Sequence, residues 1–228
     1  MDGQFFPGDT VQFGGMQFRR RWRIVPTFLA SATDIVNRQN YSWAGVSFGT
    51  AAADRHIILL ASSRRSGAPT FASASLGGVS ATLVASSTAT NCLVGIYIAA
   101  VPSGTTGTVA INHNETNLVS CGYGIYSTYG LSSITPIDTA NINDFPTLSD
   151  ALTAISGGPI FAVSQAPSGT ATFTWDAPMV EGYEQGCAET HTHSGAAFSP
   201  ILSGAPTVSV TPSTTGGVNG VLAAASFR

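Results

Sequence analysis

Apolar and polar residues alternate along Thr108-Val109-Ala110-Ile111-Asn112, along Thr170 to Trp175, and again along Thr207-Val208-Ser209-Val210-Thr211. Strands with one buried face need this period of two, because successive side chains point to opposite sides. Two further runs, Ile57 to Ala61 and Leu93 to Val101, are apolar throughout and read as strands covered on both faces. Gly77-Gly78, Pro102-Ser103-Gly104, Gly157-Gly158-Pro159, Pro167-Ser168-Gly169 and Gly216-Gly217 fall between such runs and supply turn geometry. Many short strands separated by such turns predict an all-β chain, a sandwich or barrel with little helix, and two packed antiparallel sheets, an antiparallel β-sandwich, are the expectation.

Three stretches depart from this pattern. Leu148, Ala151, Leu152 and Ile155 fall at helical spacing, with Thr147 placed to cap and Gly157 to stop a helix. The Thr-rich surroundings point the other way, and a strand is the expectation. Residues 176–206 carry weak strand signals and read as a long loop. Residues 1–23 are Gly-rich and aromatic (Phe5, Phe6, Phe13, Phe18, Trp22) and close with Arg19-Arg20-Arg21-Trp22-Arg23. The expected division is an irregular arm, 1–23, and a sandwich, 24–228.

Charge is scarce. Asp, Glu, Lys and Arg make up 9% of the 228 residues, all nine cations are arginine, and the net charge is −3; an ordinary soluble domain carries about 25%. That balance gives no general attraction to nucleic acid or an acidic membrane. Soluble monomers blunt their sheet edges with charge, lysine above all. A β-rich chain without lysine is therefore expected to cover its edges with other subunits. Cys92, Cys121 and Cys187 are too few to frame a disulfide scaffold and read as small core residues. No apolar run reaches the roughly 18 residues of a membrane span. The arginine cluster followed by Ile24 to Leu29 and Ala30-Ser31-Ala32 imitates a secretion signal, but its apolar part is short and contains Pro26.

Few motifs carry chemistry. Gly45-Val46-Ser47-Phe48-Gly49 fits the nucleophile-elbow pattern, yet no alternation of strands and helices surrounds it, so a strand end is expected. Asp176, Glu181 and Glu184 form an acidic group that reads as loop charges, since glycosidic chemistry needs two carboxylates facing across a sugar. Cys187, Glu189, His191 and His193 would share one face if extended. Alternate residues then lie nearly 7 Å apart, at about 3.3–3.4 Å per residue. All four could not reach one ion, but His191 and His193 could supply two imidazoles to a transition metal. The aromatic arm residues Phe5, Phe6, Phe13, Phe18 and Trp22, with Arg19, Arg20, Arg21 and Arg23, are the expected partner-binding set, because clustered aromatics and arginines suit a protein contact.

Several phrases carry a resemblance: Phe28-Leu29-Ala30-Ser31-Ala32-Thr33, Leu76-Gly77-Gly78-Val79-Ser80-Ala81-Thr82, Val101-Pro102-Ser103-Gly104-Thr105-Thr106-Gly107, Gly124-Ile125-Tyr126 with Gly130-Leu131, and the ending Val221 to Arg228. They resemble small virion proteins of bacteriophages and prophages, over roughly residues 28–228, in pattern and composition and without a catalytic motif. The resemblance implies a jelly-roll-like antiparallel β-sandwich on a virion surface, with a non-enzymatic structural role as a head-decoration, cement or tail-fibre component. It implies other capsid or tail proteins as partners, assembly in the host cytoplasm, and a homo-oligomer, preferably a trimer. Around a threefold axis, three His-x-His pairs from His191 and His193 could hold a metal, as in trimeric phage fibres; no other cofactor is expected. A host-glycan-binding tail module is the alternative, and exposed Trp or Tyr in a cleft would favour it.

Overall fold

A computed structural model describes residues 10–13, 16–19, 23–89, 91–143, 148–187, 190–199, 207–215 and 220–228. Among them there is no helix. Within the arm, β1 (Thr10–Phe13) and β2 (Met16–Arg19) pair as a short antiparallel ribbon, so a segment expected to be irregular contains one regular element. Then come β3 (Thr27–Asp34), β4 (Asn40–Ser47), β5 (Arg55–Arg64), β6 (Phe71–Leu76), β7 (Val79–Ala89), β8 (Cys92–Ala100), β9 (Thr106–His113) and β10 (Ser120–Tyr129). These form one eight-stranded sheet in the order β3-β10-β5-β8-β7-β6-β9-β4.

The rest of the chain adds β11 (Asp138–Ile142), β12 (Asp150–Thr153), β13 (Ile160–Ala166), β14 (Phe173–Trp175), β15 (Val180–Gly186), β16 (Thr192–Phe198), β17 (Thr207–Val210), β18 (Pro212–Thr214) and β19 (Val221–Ser226). A five-stranded sheet runs β11-β19-β13-β16-β15, while β12-β17 and β14-β18 are two-stranded ribbons. Every strand pairing is antiparallel, as the alternation predicted.

The large sheet curls until its ends approach one another. Arg38 and Leu118 form a bridge between the segments flanking those ends, and Trp43 on β4 meets Tyr123 on β10 edge-on at 4.8 Å. Inside the curl lies a core of Tyr41, Phe48, Ile57, Leu59, Tyr97, Ile111 and Ile125, among others. The outer face of β5 and β8 presents Ile58, Leu60, Val94, Ile96 and Ile98 to Phe161, Val163, Ala223 and Phe227 of the five-stranded sheet. The far side of that sheet is covered by Leu148, Leu152, Trp175, Met179 and Val210. β5 and β8 are thus sandwiched between two cores, which is why their sequences are apolar throughout.

Two expectations about local structure resolve differently. Over residues 148–155 the strand reading holds: Leu148, Leu152 and Ala154 are buried while Ala151, Thr153 and Ile155 are exposed, a period of two. The stretch 176–206 is not one long loop. It contains β15 and β16, and β16 lies inside the five-stranded sheet with nearly every residue buried. Thr192, His193, Ser194 and Gly195 look loop-like in sequence, but each polar one has a partner: Thr192 donates to the Ser168 carbonyl, His193 bonds Ser62, and the Trp175 indole donates to Ser194. The elbow-like stretch is a strand end, as expected: β4 stops at Ser47, Gly49 turns at φ +71°, and the chain enters β5.

Candidate functional site

β16 carries His193 into the layer between the two sheets, where it is fully buried. Its Nδ1 lies 2.7 Å from Ser62 Oγ on β5 and its Nε2 3.2 Å from Thr33 Oγ1 on β3. Gln185 continues the network, accepting from Thr33 at 3.2 Å and donating to Ser31 Oγ at 2.9 Å. One neutral tautomer satisfies every member: Ser62 donates to Nδ1, and Nε2–H donates to Thr33. Burial, which penalises the imidazolium, pushes His193 down to about 3. The space for its ring comes from Gly122 on β10, where a Cβ would sit 2.6 Å from the imidazole.

His191 is buried as well. Burial first, and the positive charge of Arg64 second, push it down to about 4. Its Nδ1 lies 3.1 Å from Thr190 Oγ1, and its Nε2 has no hydrogen-bond partner among the described residues. The Cys187 N–H donates to the His191 carbonyl at 2.7 Å, so the chain turns between β15 and β16 instead of running extended. This geometry lends the expected metal pair no support: both nitrogens of the buried His193 lie within hydrogen-bond distance of hydroxyls of its own chain. Among the described residues no group of three or more His, Cys, Asp or Glu could hold a metal; Glu189 lies outside them.

A second buried pair sits on the other face of β5. Ser63 Oγ is 2.8 Å from His113 Nε2, and His113 Nδ1 is 2.9 Å from the Gln39 carbonyl. The carbonyl can only accept, so Nδ1 carries the proton and Nε2 faces the hydroxyl. Burial lowers the His113 pKa, with the Gln39 bond and Glu115 opposing it. A serine beside a neutral imidazole is the arrangement of an activated nucleophile. Here Ser63 is 0% and His113 2% exposed, so no substrate reaches it. Sequence reasoning passed over this histidine, although it continues the inward-facing series Val109, Ile111, His113, a polar residue in a core register.

Arg55 is the third buried polar centre, at 0% exposure. Its donors reach five backbone carbonyls: Val101 at 2.7 Å, Phe48 at 3.1 Å, Gly49 at 3.0 Å, Ser103 at 2.8 Å and Gly104 at 2.7 Å. It ties the turn after β4 to the turn after β8. The acidic group does not form a facing pair. Glu181 accepts from Ser194 at 3.0 Å, Glu184 accepts from the Phe173 N–H, and the Met179 N–H bonds the Asp176 carbonyl at 3.1 Å.

One accessible feature is a cleft of about 230 Å³ at one side of the sandwich, lined in part by Arg23, Val25, Phe28, Tyr126, Val180 and Glu181. Phe28 forms its aromatic wall, stacked at 5.9 Å on Tyr183 and edge-on at 5.4 Å to Tyr126. Burial raises the Glu181 pKa, with Ser194 opposing and Glu184 adding to the rise. Of the expected partner-binding residues, Arg23 is exposed, with its guanidinium 6.0 Å from the Phe198 ring. Phe13, Phe18 and Arg19 belong to the β1–β2 ribbon, whereas Phe5, Phe6, Arg20, Arg21 and Trp22 lie outside the described residues. The chain matches no protein-family model, no curated protein and no solved structure.

Proposed function

We propose that this chain is a non-enzymatic structural component of a bacteriophage virion. It would be a head-decoration, cement or tail-fibre subunit, present in several copies and attached through residues 1–23. The observation that carries this reading is the character of the sheet edges. β4 carries no charged residue and β3 carries only Asp34, although each is an end strand of the large sheet. Uncharged end strands without lysine suit a subunit whose edges are covered in an assembly. The chemistry of the interior agrees: the serine–histidine pairs and Arg55 are sealed from solvent and tie layers together. The glycan-binding alternative finds less support, since among the described residues no Trp or Tyr is exposed.

The test is mass spectrometry of purified particles from a host that produces the chain, with and without residues 1–23. The full chain should be found in particles at a fixed stoichiometry and the truncated one should not. Absence of the full chain from particles would sink the structural role. Normal incorporation of the truncated chain would sink the anchoring role of the arm.

A further inference from the structure

β15 and β3 are end strands of their respective sheets, and they lie next to one another in adjacent layers, joined through Gln185 to Ser31 and Thr33. The cleft opens along this side. Three exposed large apolar residues gather there: Val25 at 54%, Phe28 at 37% and Val180 at 65%. Exposed apolar side chains collected at one place mark an interaction surface more than scattered ones do. Arg23 and Glu181 line the same cleft, and neither takes part in an ion pair among the described residues, where Arg38–Asp34 is the pair formed. One patch therefore carries an apolar centre, two strand edges, and a cation and a carboxylate that stand outside any ion pair among the described residues.

We infer that this side of the sandwich is a twofold contact between two copies of the chain. Val180 and Phe28 of each copy pack at its centre, and Arg23 of one copy meets Glu181 of the other. The occupant is a second copy because the patch complements itself. A surface bearing both members of an ion pair around an apolar centre satisfies an isologous contact, in which residue i meets j and j meets i. A different protein would need neither charge to be matched by the other on the same patch. Such a contact needs about 800 Å² per copy. β3 alone, at eight residues, extends roughly 27 Å, and the cleft and β15 widen the strip across a second layer. This rests on the assembly role proposed above, but favours twofold symmetry over the trimer that the fibre-like resemblance implies.

The experiment is light scattering with sedimentation equilibrium on the full chain, alongside Val180→Asp, Arg23→Glu, and Arg23→Glu combined with Glu181→Arg. Val180 and Arg23 are exposed, so both single variants should melt like the parent. The parent should be dimeric at micromolar concentration, each single variant should dissociate at least roughly tenfold more readily, and the reversed pair should recover most of the loss. A monomeric parent overturns the inference. So does unchanged self-association in both single variants, or a reversed pair no better than Arg23→Glu. A dimer lost on deleting residues 1–22 yet unaffected by the point variants assigns the contact to the arm and also overturns it. Absence of the chain from particles would sink the virion role while leaving this contact standing; a monomer recovered from particles would do the reverse.

Discussion

Ser62 and Ser63 are neighbours on β5, yet each bonds a buried histidine in a different core, His193 at 2.7 Å on one face and His113 at 2.8 Å on the other. The pleat of a single strand thereby pins two layers. Apolar packing alone fixes volume and leaves register loosely specified, because an aliphatic face slides at little cost. A hydroxyl–imidazole bond has one distance and one direction. A slip of β5 by one residue would bring one serine to the other's histidine and set Ala61 or Arg64 against the second, so one buried imidazole would lose its hydroxyl.

The buried histidines should make the fold acid-sensitive. His193 lies at about 3 and His191 at about 4, and His113 is lowered too, against an ordinary value near 6.5. Lowered folded values mean that the unfolded chain binds more protons between the two limits. Stability is therefore complete above about pH 6.5 and falls as pH drops toward 4. Each such group contributes a slope of about 1.4 kcal/mol per pH unit within its window. Urea unfolding at a series of pH values should show the decline, and His193→Asn should reduce its slope by about one proton. A stability that stays flat from pH 7 to pH 4.5 would refute this, since ordinary carboxylates titrate mostly below that range.

Arg55 cannot be replaced by lysine. Five carbonyls accept from its planar fork, and an ammonium offers three donors at one point. Arg55→Lys leaves carbonyls unsatisfied and a buried charge poorly solvated, at a cost of about 3 kcal/mol or more. Chemical denaturation measures it. A loss under about 1 kcal/mol would mean that water replaces the missing donors.

Gly124 is required by a ring. A Cβ there would fall 1.9 Å from Tyr183 Cε1, and Tyr183 is buried between the sheets. Gly124→Ala should destabilise by about 1–3 kcal/mol through overpacking. Gly186, on the same strand as Tyr183, has nothing within 4 Å of its would-be Cβ. Gly186→Ala is the matched control and should be close to neutral by thermal unfolding.

The strands with plain alternation or continuous apolar character were legible in the sequence. Val109 and Ile111 of β9, Ile57 to Ala61 of β5 and Leu93 onward in β8 lie in the core as their patterns require. β16 was not legible. Its Thr-His-Ser-Gly sequence has small or polar side chains whose burial depends on partners far along the chain, such as Ser62, 131 residues before His193. Periodicity registers hydrophobicity and is blind to a polar residue whose hydrogen bonds are satisfied across layers. The same blindness hid the interlayer contacts of His193 and the carbonyl contacts of Arg55. The cleft was equally hidden, because Arg23 and Glu181 come together only when the chain preceding β3 is laid beside β15.

Removing the arm should leave the body folded. Among the residues whose burial is described, the three cores draw on residues after Arg23, and the strands of both large sheets begin at Thr27. The β1–β2 ribbon stands as a separate sheet, pairing Val11 with Phe18, Phe13 with Met16, Thr10 with Arg19 and Gln12 with Gln17. Its apolar residues are thus set opposite apolar ones and its polar residues opposite polar ones. An isolated two-stranded ribbon is marginal in water, and ordering its backbone costs about 1–2 kcal/mol per residue. Such a ribbon gains stability by laying its apolar residues on another surface, which the folding of the sandwich does not require. A chain starting at Arg23 should keep the parent's β-type circular dichroism and melt within a few degrees of it. If the truncated chain instead fails to fold, or melts far below the parent, the arm is part of the sandwich core and not an attachment to it.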